Sequence, residues 1–173
     1  IKRQGTVTGL DKVRFREGDS VGWAFRATTL STVTLLSDRG TAYVLRVDAI
    51  TPTTGYGEPI QRHFALADGE GIAGVVSNDP RNLPPVPADT IAKATDDEPA
   101  PPHLVAVSKM GRIVREPLAI HSDVSNRNGR RYMNLEKEGD DAVIAAYASD
   151  GTEDCCVASH DGNVLCFPVW DVP

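Results

Sequence analysis

Three times along this chain an apolar strand runs into Ser-x-x-Gly, and a second strand rich in Val, Ile, Leu and aromatic residues follows. A recurring supersecondary unit constrains the fold more than composition can, because each copy must bury its faces against its neighbours. Leu35-Leu36-Ser37-Asp38-Arg39-Gly40-Thr41-Ala42-Tyr43-Val44-Leu45 aligns without gaps to Ala106-Val107-Ser108-Lys109-Met110-Gly111-Arg112-Ile113-Val114-Arg115-Glu116. The third copy is Val157-Ala158-Ser159-His160-Asp161-Gly162-Asn163-Val164-Leu165-Cys166-Phe167. Each reads as a β-hairpin in which serine starts a type I turn and glycine takes the positive-φ position that closes it. Gly40, Gly111 and Gly162 are therefore expected to be structural turn glycines, since other residues adopt that conformation at a cost of about 1 kcal/mol or more.

A second marker precedes each hairpin: Glu17-Gly18-Asp19, Asp68-Gly69-Glu70 and Glu138-Gly139-Asp140, each followed by an apolar stretch. From its glycine to the hairpin serine the distance is 19, 39 and 20 residues in turn, so the second copy carries an insertion. Residues 80–102 hold it, with Pro80, Pro84, Pro85, Pro87, Pro99, Pro101, Pro102 and the acidic run Asp96-Asp97-Glu98. Such composition suits neither a sheet nor a packed helix, so a surface excursion between two strands of one blade is expected. A domain boundary there is the competing reading. No segment longer than about ten residues keeps a 3.6-residue period, whereas short apolar runs with turns between them recur. The expected fold is all-β, a propeller-like partial array of about three four-stranded blades. Its divisions would be 1–16 as the end of a preceding blade, 17–67 as a blade, 68–137 as a blade with the insertion 80–102, and 138–173 as a blade.

The 173 residues, 40% of them hydrophobic, suffice for an ordinary core. No apolar run reaches the roughly 20 residues that span a bilayer, so no membrane partner is expected. Cys155, Cys156 and Cys166 are odd in number and clustered in one strand pair, which does not make a disulfide framework; a reducing cytoplasm is the natural compartment. A zinc reading of these cysteines with His160 fails on spacing, because adjacent strand residues face opposite sides, and no metal is expected. The net charge of −6 argues against a nucleic-acid partner, but charge is segregated. Residues 1–16 and 109–131 each net +4, whereas 136–154 carry seven acids against Lys137.

Arg16-Glu17-Gly18-Asp19, the Ser-x-x-Gly hairpins and Thr53-Thr54-Gly55-Tyr56-Gly57-Glu58-Pro59-Ile60-Gln61 together resemble the C-terminal repeats of type IIA topoisomerase A subunits, those of gyrase and topoisomerase IV. Asn126-Arg127-Asn128-Gly129-Arg130-Arg131-Tyr132-Met133-Asn134-Leu135-Glu136-Lys137-Glu138-Gly139-Asp140 follows the family's strand, loop and acid-Gly-Asp order closely. Ile1-Lys2-Arg3 looks like the last strand of a blade whose hairpin lies upstream. The resemblance implies a β-pinwheel, a disc whose blades exchange strands and whose basic edge bends duplex DNA. The family's Gln-Arg-Arg-Gly-Gly-Lys-Gly wrapping box has no counterpart, the closest match being Arg127-Asn128-Gly129-Arg130-Arg131.

From that resemblance the expected partners are double-stranded DNA, the ATPase B subunit, and the remaining domains of the A subunit, in a bacterial, nucleoid-associated enzyme. Lys2, Arg3, Arg39, Lys109, Arg112, Arg115, Arg127, Arg130 and Arg131 are the candidate phosphate contacts. No catalytic residue is expected here: strand cleavage would fall to a tyrosine of another domain, and ATP and Mg would act through other domains. Tyr43 and Tyr147 fall on apolar strands as core or half-core residues. The alternative function is a propeller-like protein-interaction module with no DNA binding.

Overall fold

The structure, a computed structural model, describes all residues except 6, 97 and 136–139; the third acid-Gly-acid marker falls mostly outside the described residues. Nine strands are described: β1 Thr32–Ser37, β2 Thr41–Arg46, β3 Ile72–Ser77, β4 His103–Ser108, β5 Ile113–Pro117, β6 Arg130–Arg131, β7 Val143–Ser149, β8 Asp154–Ala158 and β9 Val164–Pro168. They form three antiparallel sheets, ordered β3-β1-β2-β6, β5-β4-β7 and β8-β9. The fold is all-β and propeller-like, with one short helix, α1, at Ala88–Ala92.

Each sheet is built on one Ser-x-x-Gly hairpin, and the three turns repeat the same hydrogen bonds. Gly40, Gly111 and Gly162 stand at φ of 77°, 80° and 84°. Their amides donate to the carbonyls of Ser37, Ser108 and Ser159 at 3.1, 3.0 and 3.0 Å. The serine hydroxyls accept from the amides of Thr41, Arg112 and Asn163, each at 3.2 Å. After each hairpin the chain makes a turn of 3-10 helix whose first residue, Val47, Leu118 or Val169, is buried. The amide of that residue closes the unit on the carbonyl of Ser31, Pro102 or Glu153.

The sheets stack, and the stacking explains why β1 and β4 are apolar on both faces. Leu36 and Ala42 of the first sheet meet Leu104, Ala106 and Ala146 of the second in one core. Val105 and Val107, on the second sheet's other face, pack on Cys155 of the third and on Val169 in the turn that follows it. Val33, Leu35, Tyr43 and Leu45, on the far face of the first sheet, are covered by Ile50 and Phe64. Gly74 lies at the crossing of the first two sheets, where a Cβ would stand 2.1 Å from the Ala146 carbonyl oxygen.

Strands pass between units. β3 follows the Asp68-Gly69-Glu70 turn yet pairs with β1, β6 pairs with β2, and β7 pairs with β4. The insertion 80–102 thus leaves from β3 in the first sheet and enters β4 in the second, rather than joining two strands of one sheet. It also carries α1, which buries Thr90, against the expectation of no packed helix. Tertiary burial supports a short helix where isolated propensity would not. The segment after Glu17-Gly18-Asp19 differs from β3 and β7: residues 20–27 form no ladder, and Val21, Trp23 and Phe25 are exposed. Arg3 forms a single parallel bridge with Pro52 in place of a strand.

One expectation from the cysteines is corrected. Cys156 and Cys166 are directly opposed across β8 and β9 and are joined by a disulfide, while Cys155 is a buried free thiol. Counting cysteines misses this, because a hairpin brings residues ten apart onto one face of neighbouring strands. Among the described residues no helix is long and apolar enough to cross a membrane.

Candidate nucleic-acid interface

The exchanged segment 126–135 determines which cations come together. Its strand β6 lies along the outer edge of β2, with Arg131 opposite Thr41 and Arg130 opposite Ala42. Two features let it approach so closely. Gly129 has φ 70°, and a Cβ there would stand 2.6 Å from Thr41 Cγ2 and 2.7 Å from the Ala42 carbonyl oxygen, so a side chain has no room. Tyr132 then turns into the core, 4% exposed, and its hydroxyl donates to the Ser37 carbonyl at 2.6 Å. The amides of Tyr132 and Met133 donate to the Gly40 carbonyl at 3.0 and 3.2 Å, locking the segment to the first hairpin turn.

With the segment fixed, Arg131 Nη1 donates to the Arg39 carbonyl at 3.0 Å, so Arg39 and Arg131 are neighbours although 92 residues apart in sequence. Arg130 Nη1 donates to the Ile120 carbonyl. Arg127 is exposed, and its carbonyl accepts from the Ala65 amide at 2.8 Å, which holds the loop's backbone. None of Arg127, Arg130 and Arg131 lies within ion-pair distance of a carboxylate among the described residues. Arg39 is exposed and only distantly paired, 4.0 Å from Asp38. Arg130 and Arg131 thus lie on the edge strand, with Arg39 in the adjoining turn and Arg127 in the loop that leads into it.

The remaining sequence candidates are not at this edge. Lys109 forms an ion pair with Asp140, whose carboxyl it holds below its ordinary range by hydrogen bond and charge. Arg112 donates to the Asn134 carbonyl at 3.3 Å and stands 3.9 Å from Asp141. Arg3 donates to the Ile50 carbonyl at 2.8 Å, and Lys2 turns its Nζ inward. Arg115 departs furthest from a surface role. Its side chain is 8% exposed, bonded at 2.5 Å to Glu98 and at 2.8 Å to the Val172 carbonyl, and stacked 5.1 Å from the Trp170 ring. The cause is its register: Arg115 occupies the hairpin position of Val44, which is fully buried against the next sheet, and a cation so placed must be paired.

Other ionisable groups are structural. Burial and a hydrogen bond to Glu70 push the Tyr43 hydroxyl up to about 12, and burial raises Tyr132 further. Asp79 is held well below the usual carboxylate range by Arg81 and by the amides of Thr28 and Arg81, so it clamps residues 28–31 to the end of β3. Tyr147, expected as a core or half-core residue, is instead exposed at 37%, beside Phe25 and Leu83 in a groove at the junction of the first two sheets. Among the described residues no group of three or more His, Cys, Asp or Glu side chains could hold a metal ion. Sequence reasoning missed the positioning roles of Gly129, Tyr132 and Gly74. The one signal for them was an apolar Tyr-Met pair directly after Arg130-Arg131.

Stacked antiparallel hairpin sheets that trade strands, with almost no helix, match the β-pinwheel class. Two solved structures share this architecture. One, of the E. coli ParC C-terminal domain, has a TM-score of 0.70 at 19% identity and covers 93% of this chain and 57% of that one. The other, the C-terminal domain of DNA topoisomerase IV, has a TM-score of 0.59 at 9% identity and covers 84% of this chain and 39% of that one. Among curated proteins the chain is similar to the A subunit of DNA topoisomerase 4 from Caulobacter vibrioides, 23% identical over 171 residues. That alignment takes in 98% of this chain but only 19% of the relative's length. These are the relatives to which the sequence resemblance pointed. No family model matches the chain.

Proposed function

We propose that this chain is a DNA-binding and DNA-bending part of the C-terminal domain of a type IIA topoisomerase A subunit, of the topoisomerase IV or gyrase kind. It would present duplex DNA to the enzyme's cleavage core for strand passage driven by the ATPase B subunit, in a bacterial cytoplasm and against the nucleoid. No cofactor and no catalytic residue of its own is needed for that task. The observation that supports this most is the edge strand Arg130–Arg131, with Arg39 beside it in the first hairpin turn and exposed Arg127 in the loop before it, none with a close carboxylate partner among the described residues except the distant Asp38 of Arg39. Guanidinium groups on a backbone-paired strand suit phosphate contact, which is independent of sequence and leaves preference to the ease of bending.

Three to four phosphate contacts give a slope of roughly −3 in log affinity against log salt, or about a 40- to 150-fold loss between ~50 and ~200 mM. Gel shifts of long duplex DNA across that range test the proposal, together with the triple charge reversal Arg127→Glu, Arg130→Glu, Arg131→Glu. Unchanged affinity in the triple variant would refute this edge. The second reading is a protein-interaction module, favoured by the ion pairs that occupy Lys109 and Arg112 on the second hairpin. Absence of any binding at ~50 mM salt would decide for it.

A further inference from the structure

The insertion does more than connect two sheets, because its attachments gather around one indole, that of Trp170. A Cβ at Gly151 would stand 3.3 Å from Trp170 Cε3 and 3.6 Å from Thr90 Cγ2, so α1 and the indole share the turn between β7 and β8. Glu98 reaches the buried Arg115, which stacks on the same ring. The Pro99 carbonyl lies 2.9 Å from His103 Nε2, and the His103 ring meets Trp170 edge-on with centroids 5.9 Å apart. α1 and residues 98–102 thus form a strap from the start of β4 to the turns at the base of the third hairpin.

We propose that His103 is a proton-operated catch for this strap, closed while the imidazole is neutral and released when the ring takes a second proton. A carbonyl oxygen only accepts, so Nε2 carries the proton of the closed ring and Nδ1 is left bare. His103 is 1% exposed, and its Nδ1 is buried with no hydrogen-bond partner among the described residues. A second proton would create a buried donor with nothing to receive it, together with a charge that burial disfavours.

The charged groups around the ring do not relieve this. Arg115, from β5, is itself a cation. Glu98, from the insertion, is bonded to Arg115, and Glu153, just ahead of β8, accepts from the Ser149 hydroxyl at 2.5 Å. Burial is the largest influence on His103 and holds it below its ordinary 6.5; Arg115 acts in the same direction, against Pro99, Glu98 and Glu153. Exposure of the ring to water removes the penalty. The strap is the element that can leave, because His103 itself belongs to the central strand of the second sheet, paired with β5 on one side and β7 on the other.

Amide hydrogen exchange of the whole chain, read by NMR at about pH 7.5 and about pH 5.5 and corrected for intrinsic rates, tests the catch. With an exposed ring that titrates near 6.5, protection at the lower pH should fall by up to about tenfold at the amides of Ile91, Lys93 and Ala94, and at Leu118, which donates to the Pro102 carbonyl. The loss should be nearly insensitive to low urea, as a local opening is. His103→Gln should abolish the pH dependence. In the wild-type chain the His103 ring protons should titrate over the same range in which protection is lost. The catch is refuted by unchanged protection, by equal loss in His103→Gln, by loss that precedes protonation of the ring, or by exchange that follows urea as steeply as that of β1 and β2, since the strap would then open only with the whole fold.

Discussion

Replacing the glycine of each hairpin turn by alanine separates what the turn needs from what the tertiary structure adds. All three glycines have positive φ, so alanine at any of them carries the left-handed penalty of about 1–2 kcal/mol. At Gly111 and Gly162 a Cβ would meet nothing within 4 Å, and that penalty is the whole cost. At Gly40 the Cβ would stand 2.3 Å from the Met133 carbonyl oxygen, which is backbone and cannot rotate away. Displacing β6 and its flanks to relieve that contact should add roughly 1–3 kcal/mol, as overpacking elsewhere does. Gly40→Ala should therefore melt roughly 2–12 °C below Gly162→Ala, since about 1 kcal/mol shifts the midpoint of a chain this size by ~2–4 °C. Because the Gly40 carbonyl receives the Tyr132 and Met133 amides, the same variant should also bind duplex DNA more weakly while Gly162→Ala binds normally. Calorimetry and gel shifts on the three variants check both halves. Equal melting of Gly40→Ala and Gly162→Ala would refute the close approach, and hence the seating of the arginine edge.

Arg115→Ala should destabilise the fold by about 1–3 kcal/mol in urea titration, below the usual cost of breaking a fully buried pair because Glu98 is partly exposed, yet leave DNA affinity of the folded protein unchanged. His103 is buried, and that burial, the largest influence on it, depresses its imidazole below 6.5. Below pH 6.5 the unfolded chain takes up a proton that the folded chain refuses. Stability should thus be intact above that value and fall as pH drops through it, by at most about 1.4 kcal/mol per pH unit. His103→Gln should flatten this dependence in urea titrations from pH 7 to 5, and an unaltered slope would assign it elsewhere. Leu104→Ala, at a fully buried position between the first two sheets, should cost about 2–5 kcal/mol, whereas Leu165→Ala, 61% exposed, should cost no more than about 0.5 kcal/mol by the same titration.

Local chemistry made the hairpins legible before any fold was known. Ser-x-x-Gly specifies its own hydrogen bonds within five residues, so Gly40, Gly111 and Gly162 could be placed without knowing what surrounds them. The repeat of that unit implied stacking, since no single hairpin can bury both faces of a strand like β1 or β4. Partnership was not legible in the same way. Arg115 and Arg131 both sit on strands, but only the stacking sends one between two sheets beside Glu98 and the other to an open edge beside Arg39. The disulfide was hidden for a related reason: its pairing is a matter of cross-strand register, which a count of cysteines does not contain. The turn was readable in the chain alone because it depends on residues a few positions apart, and the repeat because that local pattern recurs. Which charges are free to meet a partner was set by the packing of distant strands, because burial and pairing join segments such as those of Arg39 and Arg131, 92 residues apart.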